Sequence, residues 1–338
     1  MAQESASAAF PAPAAGGGGE IPPAATASAA RNVRRGWNVG DFVFKNLTML
    51  FAIGVLSLVF LMGYEMYAGS GPSLAKFGWH FLVSSTWDPV REEFGALPLI
   101  FGTVVSSLLG LLIALPLSLG VAMFLSELAP RWLERPLSFL VELLAAIPSI
   151  VYGLWGVFVL VPWLRVTVEP WLRVHFGFLP FFTGPGYGFG MLAAGLILSV
   201  MVLPIIASIS RDVMRSVPNL QREAALGLGA TRWETTKVIL STAKSGILGA
   251  TLLGLGRAIG ETMAVTLVIG NRSQIAASLF SPSNSMASII ANEFAEAASD
   301  MYTSALIEVA LVLFIVTLIL NALARLIVWS VTRRYATS

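Results

Sequence analysis

The stretch GFGMLAAGLILSVMVLPIIASI, residues 188–209, contains no charged side chain. A helix of roughly 20 such residues spans the hydrocarbon core of a bilayer, which is about 30 Å thick. An apolar run of this length predicts a transmembrane helix rather than a buried element of a soluble domain. The bilayer is therefore the solvent in which we expect this chain to fold.

Five further segments of the same kind flank this one. The six predicted spans are about residues 42–67, 97–125, 137–163, 188–209, 246–269 and 303–329. Overall composition agrees, because 56% of the 338 residues are hydrophobic and only 12% are charged, whereas about 25% is usual in soluble domains. We predict an all-α polytopic membrane protein with one domain of six transmembrane helices over residues 41–338.

The third segment is interrupted by Ala146-Ile147-Pro148. Proline lacks an amide donor and bends a helix that contains it, so we expect Pro148 to kink this span. The kink would serve either as plain helix architecture or as a gate.

The basic residues predict the orientation of the spans. Cytoplasmic loops of membrane proteins are enriched in Lys and Arg. With the N-terminus inside, most of the 21 basic residues fall on the cytoplasmic side. These are Arg31, Arg34, Arg35, Lys45, Arg131, Arg135, Arg211, Arg215, Arg222, Arg232, Lys237, Lys244, Arg325, Arg333 and Arg334. We therefore predict that both termini lie in the cytoplasm.

Several classes of function find no support in the sequence. Residues 1–40, rich in Ala, Pro, Gly and Ser, are expected to form a disordered cytoplasmic tail. Cysteine is absent, and the two histidines, His80 and His175, lie in separate loops, which argues against a metal site. No glycine-rich phosphate-binding loop ending in Gly-Lys-Ser/Thr occurs. We expect no cofactor and no enzymatic activity in this chain.

The longest predicted cytoplasmic loop, about residues 210–245, has the signals of two short helices. Asn219 is a suitable N-cap for the first, and Gly229 is a suitable end. Thr231-Arg232-Trp233-Glu234 has the spacing of a capping box, which predicts the start of the second. These signals fit both an ordinary structured loop and a docking element.

Two opposite charges, Arg257 and Glu261, lie within the fifth predicted span. Their spacing of four residues predicts that they share one helical face. A charged residue at the bilayer centre costs roughly 2.5–3.5 kcal/mol, so such residues normally face protein or water. The pair is either a structural ion pair or part of an anion pathway, in which Arg257 binds substrate oxygens and Glu261 moderates its affinity.

Small residues surround this charged pair in the same span. Small residues let helices approach closely in membranes, which predicts a helix packed against this span. The glycines concerned are Gly249, Gly254, Gly256 and Gly260.

Four segments resemble a known family. Glu223-Ala224-Ala225, Gly229 and Ile239 are similar to the EAA motif of ABC importer permeases, although Ser241-Thr242 replaces the usual Leu-Pro. The segments that resemble the PstC-type phosphate permeases of that family are GRAIGETMAV (256–265), AIPSIVYGLWG (146–156) and REEFGALP (91–98).

The resemblance implies a type I ABC importer permease fold in the bacterial inner membrane and the transport of phosphate. It implies that Glu223, Ala224, Ala225 and Gly229 couple to an ATPase, and that Arg257 and Glu261 belong to the substrate pathway. It also implies three partners: a homologous PstA-like permease subunit, a PstB-like ATPase dimer that binds ATP and Mg, and a PstS-like extracytoplasmic phosphate-binding protein. The alternatives are an ABC permease for sulfate or molybdate and an ion-coupled secondary transporter, which would leave the EAA loop unexplained.

Overall fold

The computed structural model of the chain describes residues 39–336, so the predicted disordered tail lies almost entirely outside the described residues. The α-helices in this range are α1 (Val39–Gly69), α2 (Gly71–Phe77), α3 (His80–Val83), α4 (Leu97–Met123), α5 (Arg131–Ala146), α6 (Ser149–Trp155), α7 (Val161–Trp163), α8 (Glu169–Phe176), α9 (Met191–Ser216), α10 (Asn219–Gly227), α11 (Arg232–Ile259), α12 (Met263–Val268), α13 (Met286–Glu293) and α14 (Asp300–Ala336). Wider, π-type turns continue α4 through Phe124–Leu128 and join α6 to α8 through Gly156–Leu160 and Leu164–Val168. Short 3-10 turns form at Pro180–Phe182 and Phe294–Glu296.

Six helical stretches of the described range are long and apolar enough to cross a bilayer, which confirms the predicted number. They are Gly40–Gly69, Leu97–Leu128, Ser149–Phe176, Met191–Ser216, Arg232–Ile259 and Asp300–Leu326. The chain is mostly helical, as predicted. Among residues 39–336, the one addition is a minimal antiparallel hairpin of β1 (Trp87–Asp88) and β2 (Glu93–Phe94), in which Trp87 pairs with Phe94.

Within the described residues, 39–57 and 58–336 form two separate compact units. In the first unit, every side chain described from residue 40 onward is exposed. An apolar helical surface of this kind is suited to contact with lipid.

Helix α9 is the centre of the second unit and packs against α4 and α11. Its core residues Ile197, Leu198 and Ile206 are almost completely buried. Glycines in α4 and α11 permit both helices to approach α9 closely. A Cβ at Gly110 of α4 would lie 2.8 Å from the Cβ of Leu198, and a Cβ at Gly254 of α11 would lie 2.7 Å from Cγ1 of Val202.

The third span differs from the prediction. Residues 131–146 form a separate helix, α5, and the span itself begins at Ser149 and continues to Phe176. Ile147 and Pro148 are extended, with ψ angles of 131° and 139°. A residue before proline disfavours the helical region, so Ile147 ends α5. The predicted interruption at Ala146-Ile147-Pro148 is confirmed, but it is more than a kink, because Pro148 separates two helices.

The fifth span also differs. Its helix starts at Arg232, inside the predicted loop, and ends at Ile259. The predicted second short helix is therefore the first part of a 28-residue helix. Arg257 lies in the last turn of α11, and Glu261 lies beyond the helix end, so the two residues do not share one continuous helix as predicted.

Candidate functional site

Arg257 faces an open groove of about 570 Å³ between α11 and α14. The groove is lined by Ile205, Leu252, Leu253, Gly256, Arg257, Thr317 and Asn321. Arg257 is exposed, and no carboxylate in residues 39–336 lies within ion-pair distance of it. Its guanidinium therefore presents its donors to the groove rather than to an acidic side chain of the described chain.

Glu261 is buried, with 9% of its surface exposed. Its Oε1 accepts a hydrogen bond from the backbone amide of Ala264 at 3.3 Å, in the first turn of α12. The predicted shared helical face with Arg257 is wrong, because α11 ends between the two residues at Gly260. The structural ion pair that was one of the two interpretations is not formed. A break in a membrane helix is tolerated where its backbone is buried in protein or lines a water-filled cavity.

The glycines of α11 divide into two groups. A Cβ at Gly254 would press against Val202 and Ile206 of α9, at 2.7 and 2.8 Å, so close helix packing explains this position. A Cβ at Gly249 would meet nothing within 4 Å, and a Cβ at Gly256 would meet only Asn321 Oδ1, at 3.7 Å. At these two positions the missing side chain leaves the surface beside Arg257 open.

A second groove of about 460 Å³ continues the first along the same two helices. It shares Leu252, Leu253 and Asn321 with the first groove, and it also contains Gly249, Arg325, Val328 and Trp329. Arg325 was predicted only as a cytoplasmic charge. The structure places it on the same open surface as Arg257.

The short half-helix after Glu261 packs against the third span. A Cβ at Gly153 of α6 would lie 3.0 Å from Cα of Ala264, and a Cβ at Gly156 would lie 2.8 Å from Cγ1 of Val268. The Tyr152 hydroxyl donates to the Leu144 carbonyl at 2.8 Å and bridges the break at Pro148. The segments 146–156 and 256–265, singled out in the sequence, are thus in contact. Gating at Pro148 stays a prediction.

The predicted docking loop has the expected local structure. Helix α10 contains Glu223, Ala224 and Ala225, of which the first two are exposed. Gly229 follows the helix with φ of +85°, a conformation that favours glycine. The capping box is formed: the Thr231 amide donates to Glu234 Oε2 at 2.8 Å, and the Glu234 amide donates to Thr231 Oγ1 at 3.3 Å. The N-cap prediction is wrong by one residue, because Asn219 is already helical and Pro218 precedes the helix.

A side-chain contact joins α10 and α11 at the position where the sequence departs from the EAA pattern. With Ser241-Thr242 in place of Leu-Pro, no proline interrupts α11. The Thr242 hydroxyl lies 3.0 Å from both the Val238 carbonyl and Gln221 Oε1 of α10. The contact with Gln221 connects the two helices.

Arg222, next to the EAA residues, is a functional candidate that the sequence reasoning missed. Its Nη2 and Nε donate to the two carboxylate oxygens of Glu127 at 2.9 and 3.3 Å. Nη1 donates to the Val217 carbonyl at 2.6 Å, and Nη2 donates to the Met214 carbonyl at 2.8 Å. One side chain thus ties α10 to the end of α9 and to the turn that ends the second span.

Two neighbouring ion pairs fasten α5 to α9 at the same end of the molecule. Arg211 is only 6% exposed, and its Nη2 lies 2.9 Å from Glu142 Oε1 and 2.9 Å from Asp212 Oδ1. Arg215 pairs with Glu134 of α5. The basic residues that predicted the cytoplasmic side thus also hold this end of the bundle together. Within residues 39–336, no group of three or more acidic or histidine side chains is arranged to hold a metal ion.

Comparison with known proteins gives consistent matches. Residues 108–334 match the family described as "Binding-protein-dependent transport system inner membrane component". The chain is 46% identical over 320 residues to the phosphate transport system permease protein PstC of Mesorhizobium japonicum, covering 93% of this chain and 98% of that protein. It is 48% identical over 293 residues to the PstC protein of Haemophilus influenzae, covering 85% and 93%. A chain of the MetNI methionine ABC transporter in an inward-facing conformation has a TM-score of 0.48 and 20% identity, covering 72% of this chain and 95% of that chain.

Proposed function

The chain belongs to the family of binding-protein-dependent transport system inner membrane components, and from this premise we propose that it is the permease subunit of an ATP-driven importer of inorganic phosphate. The structural observation that carries the proposal is the exposed Arg257 in an open groove, without an acidic partner among residues 39–336. The high identity to PstC proteins over most of the chain favours phosphate over sulfate or molybdate.

The chemistry of Arg257 suits a phosphate pathway. A guanidinium keeps its charge at all physiological pH values and donates two parallel hydrogen bonds to phosphate oxygens. An unpaired arginine in an apolar span is costly unless it faces water or a ligand, and the groove supplies such a surface. Glu261 acts as a positioning residue in this proposal, since its carboxylate binds the first turn of α12.

The open side of the groove suits a shared pathway. We assign its missing wall to a homologous, PstA-like permease subunit. The EAA residues of α10 bind a PstB-like ATPase dimer, with Glu223 and Ala224 on the exposed surface. ATP and Mg belong to that dimer, which makes this chain a non-catalytic subunit. A PstS-like binding protein delivers phosphate from the opposite side of the membrane.

The coupling route follows from the connection between α10 and α11. Closure of the ATPase dimer displaces α10, and the contact between Thr242 and Gln221 passes that displacement to α11. Helix α11 has 28 residues and is therefore about 42 Å long at 1.5 Å per residue. Its far end holds Arg257, so movement at the ATPase surface reaches the substrate groove through one rigid element.

The test is phosphate uptake by the complete importer in proteoliposomes, with ATP enclosed and binding protein outside. We expect ATP-dependent uptake that arsenate inhibits and sulfate does not. Arg257→Gln should abolish uptake while the complex still assembles. Inhibition by sulfate but not by arsenate would contradict phosphate as the substrate, and a variant complex that falls apart would show that Arg257 is structural.

A further inference from the structure

We infer that Arg325 and Asn321 of α14 form a second anion-binding station, placed on the cytoplasmic side of Arg257 and used by the substrate before release. The inference rests on the proposed function, since it describes a further step of the same pathway. The ligand is an oxyanion of the size and charge of hydrogen phosphate.

The two stations lie on one continuous surface. The groove at Arg257 and the groove at Arg325 share Asn321 and the two leucines of α11, Leu252 and Leu253. Residue numbers increase toward Arg257 along α11 and away from it along α14. Gly249, which precedes Arg257 on α11, therefore lies beside Arg325, which follows Asn321 on α14. Eight residues separate Gly249 from Arg257, which corresponds to about 12 Å along the helix.

The surface between the stations is kept open by glycine. A Cβ at Gly249 would meet no atom within 4 Å, so packing within residues 39–336 does not require glycine there. At Gly256 a Cβ would point at Asn321 Oδ1, 3.7 Å away. Side chains at these two positions would enter the space between Arg257 and Arg325, where an anion has to pass.

Asn321 supplies a neutral intermediate contact. Its Nδ2 donates to the Thr317 carbonyl at 2.9 Å, which leaves one amide hydrogen for a ligand. Asn321 and Arg325 are both exposed. No acidic side chain described in residues 39–336 forms an ion pair with Arg325.

Two sites of moderate affinity for the anion serve transport better than one site of high affinity. Conduction requires that an ion bind well enough to enter and weakly enough to leave, and multiple sites achieve this. A single arginine in an apolar span would retain a divalent anion. A second cation about 12 Å away lowers the free energy of the anion after it leaves Arg257.

The competing explanation is that Arg325 only anchors α14 at the cytoplasmic interface. Long basic side chains near helix ends reach lipid headgroups. If Arg325 is only an anchor, its positive charge is needed while the protein inserts and the complex assembles. Phosphate uptake by the assembled complex would then not depend on that charge. The experiment therefore changes the charge after assembly.

The natural absence of cysteine permits this design, because Arg325→Cys introduces the only thiol of this subunit. The complete importer, with partner cysteines replaced, is reconstituted and modified with a cationic or an anionic methanethiosulfonate reagent. We expect Arg325→Cys and Arg325→Gln to reduce phosphate uptake about tenfold, the scale of one charged hydrogen bond. The cationic reagent should restore uptake to within about threefold of wild type. The anionic reagent should not restore it, and Arg325→Lys should remain active.

The matched control is Leu323→Cys, which is exposed on α14 close to Arg325 but does not line the groove. Neither reagent should change its uptake. Wild-type rates in assembled Arg325→Gln, or equal effects of both reagents on Arg325→Cys, would overturn the second station and leave Arg325 a lipid anchor. A wild-type complex that carries no phosphate would instead overturn the proposed function itself.

Discussion

The bond between Arg222 and Glu127 should be needed to transmit force from the ATPase to the membrane helices. Arg222 is the one residue of α10 that reaches both α9 and the end of the second span through hydrogen bonds of the described chain. We expect Arg222→Glu to uncouple ATP hydrolysis from transport, because α10 would then move without carrying α9 and the end of the second span. Glu127→Arg should have a similar effect from the other side of the contact.

The magnitude follows from the burial of the pair. The Arg222 and Glu127 side chains are 19% and 11% exposed. Breaking a fully buried ion pair costs about 3–5 kcal/mol, and breaking an exposed one costs about 0–1 kcal/mol. For this partly buried pair, with two charged hydrogen bonds, we expect about 2–3 kcal/mol. That free energy corresponds to about a 30- to 150-fold shift in the population of the docked conformation of α10.

The double reversal, Arg222→Glu with Glu127→Arg, should restore only part of this free energy. The exchanged charges attract each other again, but a glutamate at 222 cannot donate to the Met214 and Val217 carbonyls as the arginine does. We therefore expect coupling in the double variant to lie between that of the single variants and wild type. Non-additivity of this kind is the signature of a direct interaction.

The assay is the number of phosphate ions taken up per ATP hydrolysed by the complete importer in proteoliposomes. Both single variants should hydrolyse ATP and transport little. Arg131→Glu changes an exposed arginine of α5 that forms no ion pair within residues 39–336, and it should behave as wild type. The reasoning is refuted if each single reversal leaves the ratio unchanged. It is equally refuted if the effects of the two reversals simply add in the double variant.

Three further substitutions test other parts of the structure. Glu223→Lys should leave the protein inserted but prevent co-purification with the ATPase, because Glu223 lies on the exposed face of α10; normal ATP-driven uptake would contradict the docking role. Gly229→Val should destabilise the turn after α10 by about 1–2 kcal/mol, since the backbone there has φ of +85°, and ATPase binding should weaken with it. Gly254→Val should lower the thermal unfolding temperature, because its side chain would collide with Val202. Gly249→Ala, at an open position, is the matched control and should unfold at the wild-type temperature.

Hydropathy predicted the number of spans correctly because lipid imposes a length and an apolar composition on each of them. It could not predict where α11 begins. Residues from Arg232 to about Gly246 are too polar to belong to an apolar window, yet no proline follows the capping box at Thr231, so the helix continues into the membrane. The absence of the Leu-Pro pair, noted in the sequence as a departure from the EAA pattern, was the available signal.

The end of α11 was missed for a different reason. The spacing of Arg257 and Glu261 predicts one helical face only if the helix continues through both residues. Gly260 lowers the helix propensity between them, and the Glu261 carboxylate binds an amide of the following helix instead. An acidic side chain that accepts a hydrogen bond from a nearby backbone amide can favour a helix end over a continuous helix. The periodicity of apolar residues does not detect this local effect.

The contacts of Arg222 could not be predicted from the sequence at all. It and Glu127 are separated by 95 positions, and no pattern in the chain pairs an arginine of a loop with one acidic residue among many. Their meeting depends on how α4, α9 and α10 end at the same side of the bundle. The sequence thus predicted the helix and turn of the EAA-like segment, and only the structure revealed how that segment is attached to the membrane helices.

The break between α11 and α12 at Gly260 places Arg257 and Glu261 on separately attached helices. Arg257 belongs to α11, which is connected to α10 through Thr242 and Gln221. Glu261 binds α12, which packs against the glycines of α6. The arginine and the glutamate are therefore attached to two different helices, α11, which contacts α10, and α12, which contacts the third span. Under the proposed function, we expect a displacement of α10 to change the distance between Arg257 and Glu261, and with it the affinity of Arg257 for an anion. A continuous helix would have moved both charges together and left that affinity unchanged, so the interruption is what lets movement alter binding.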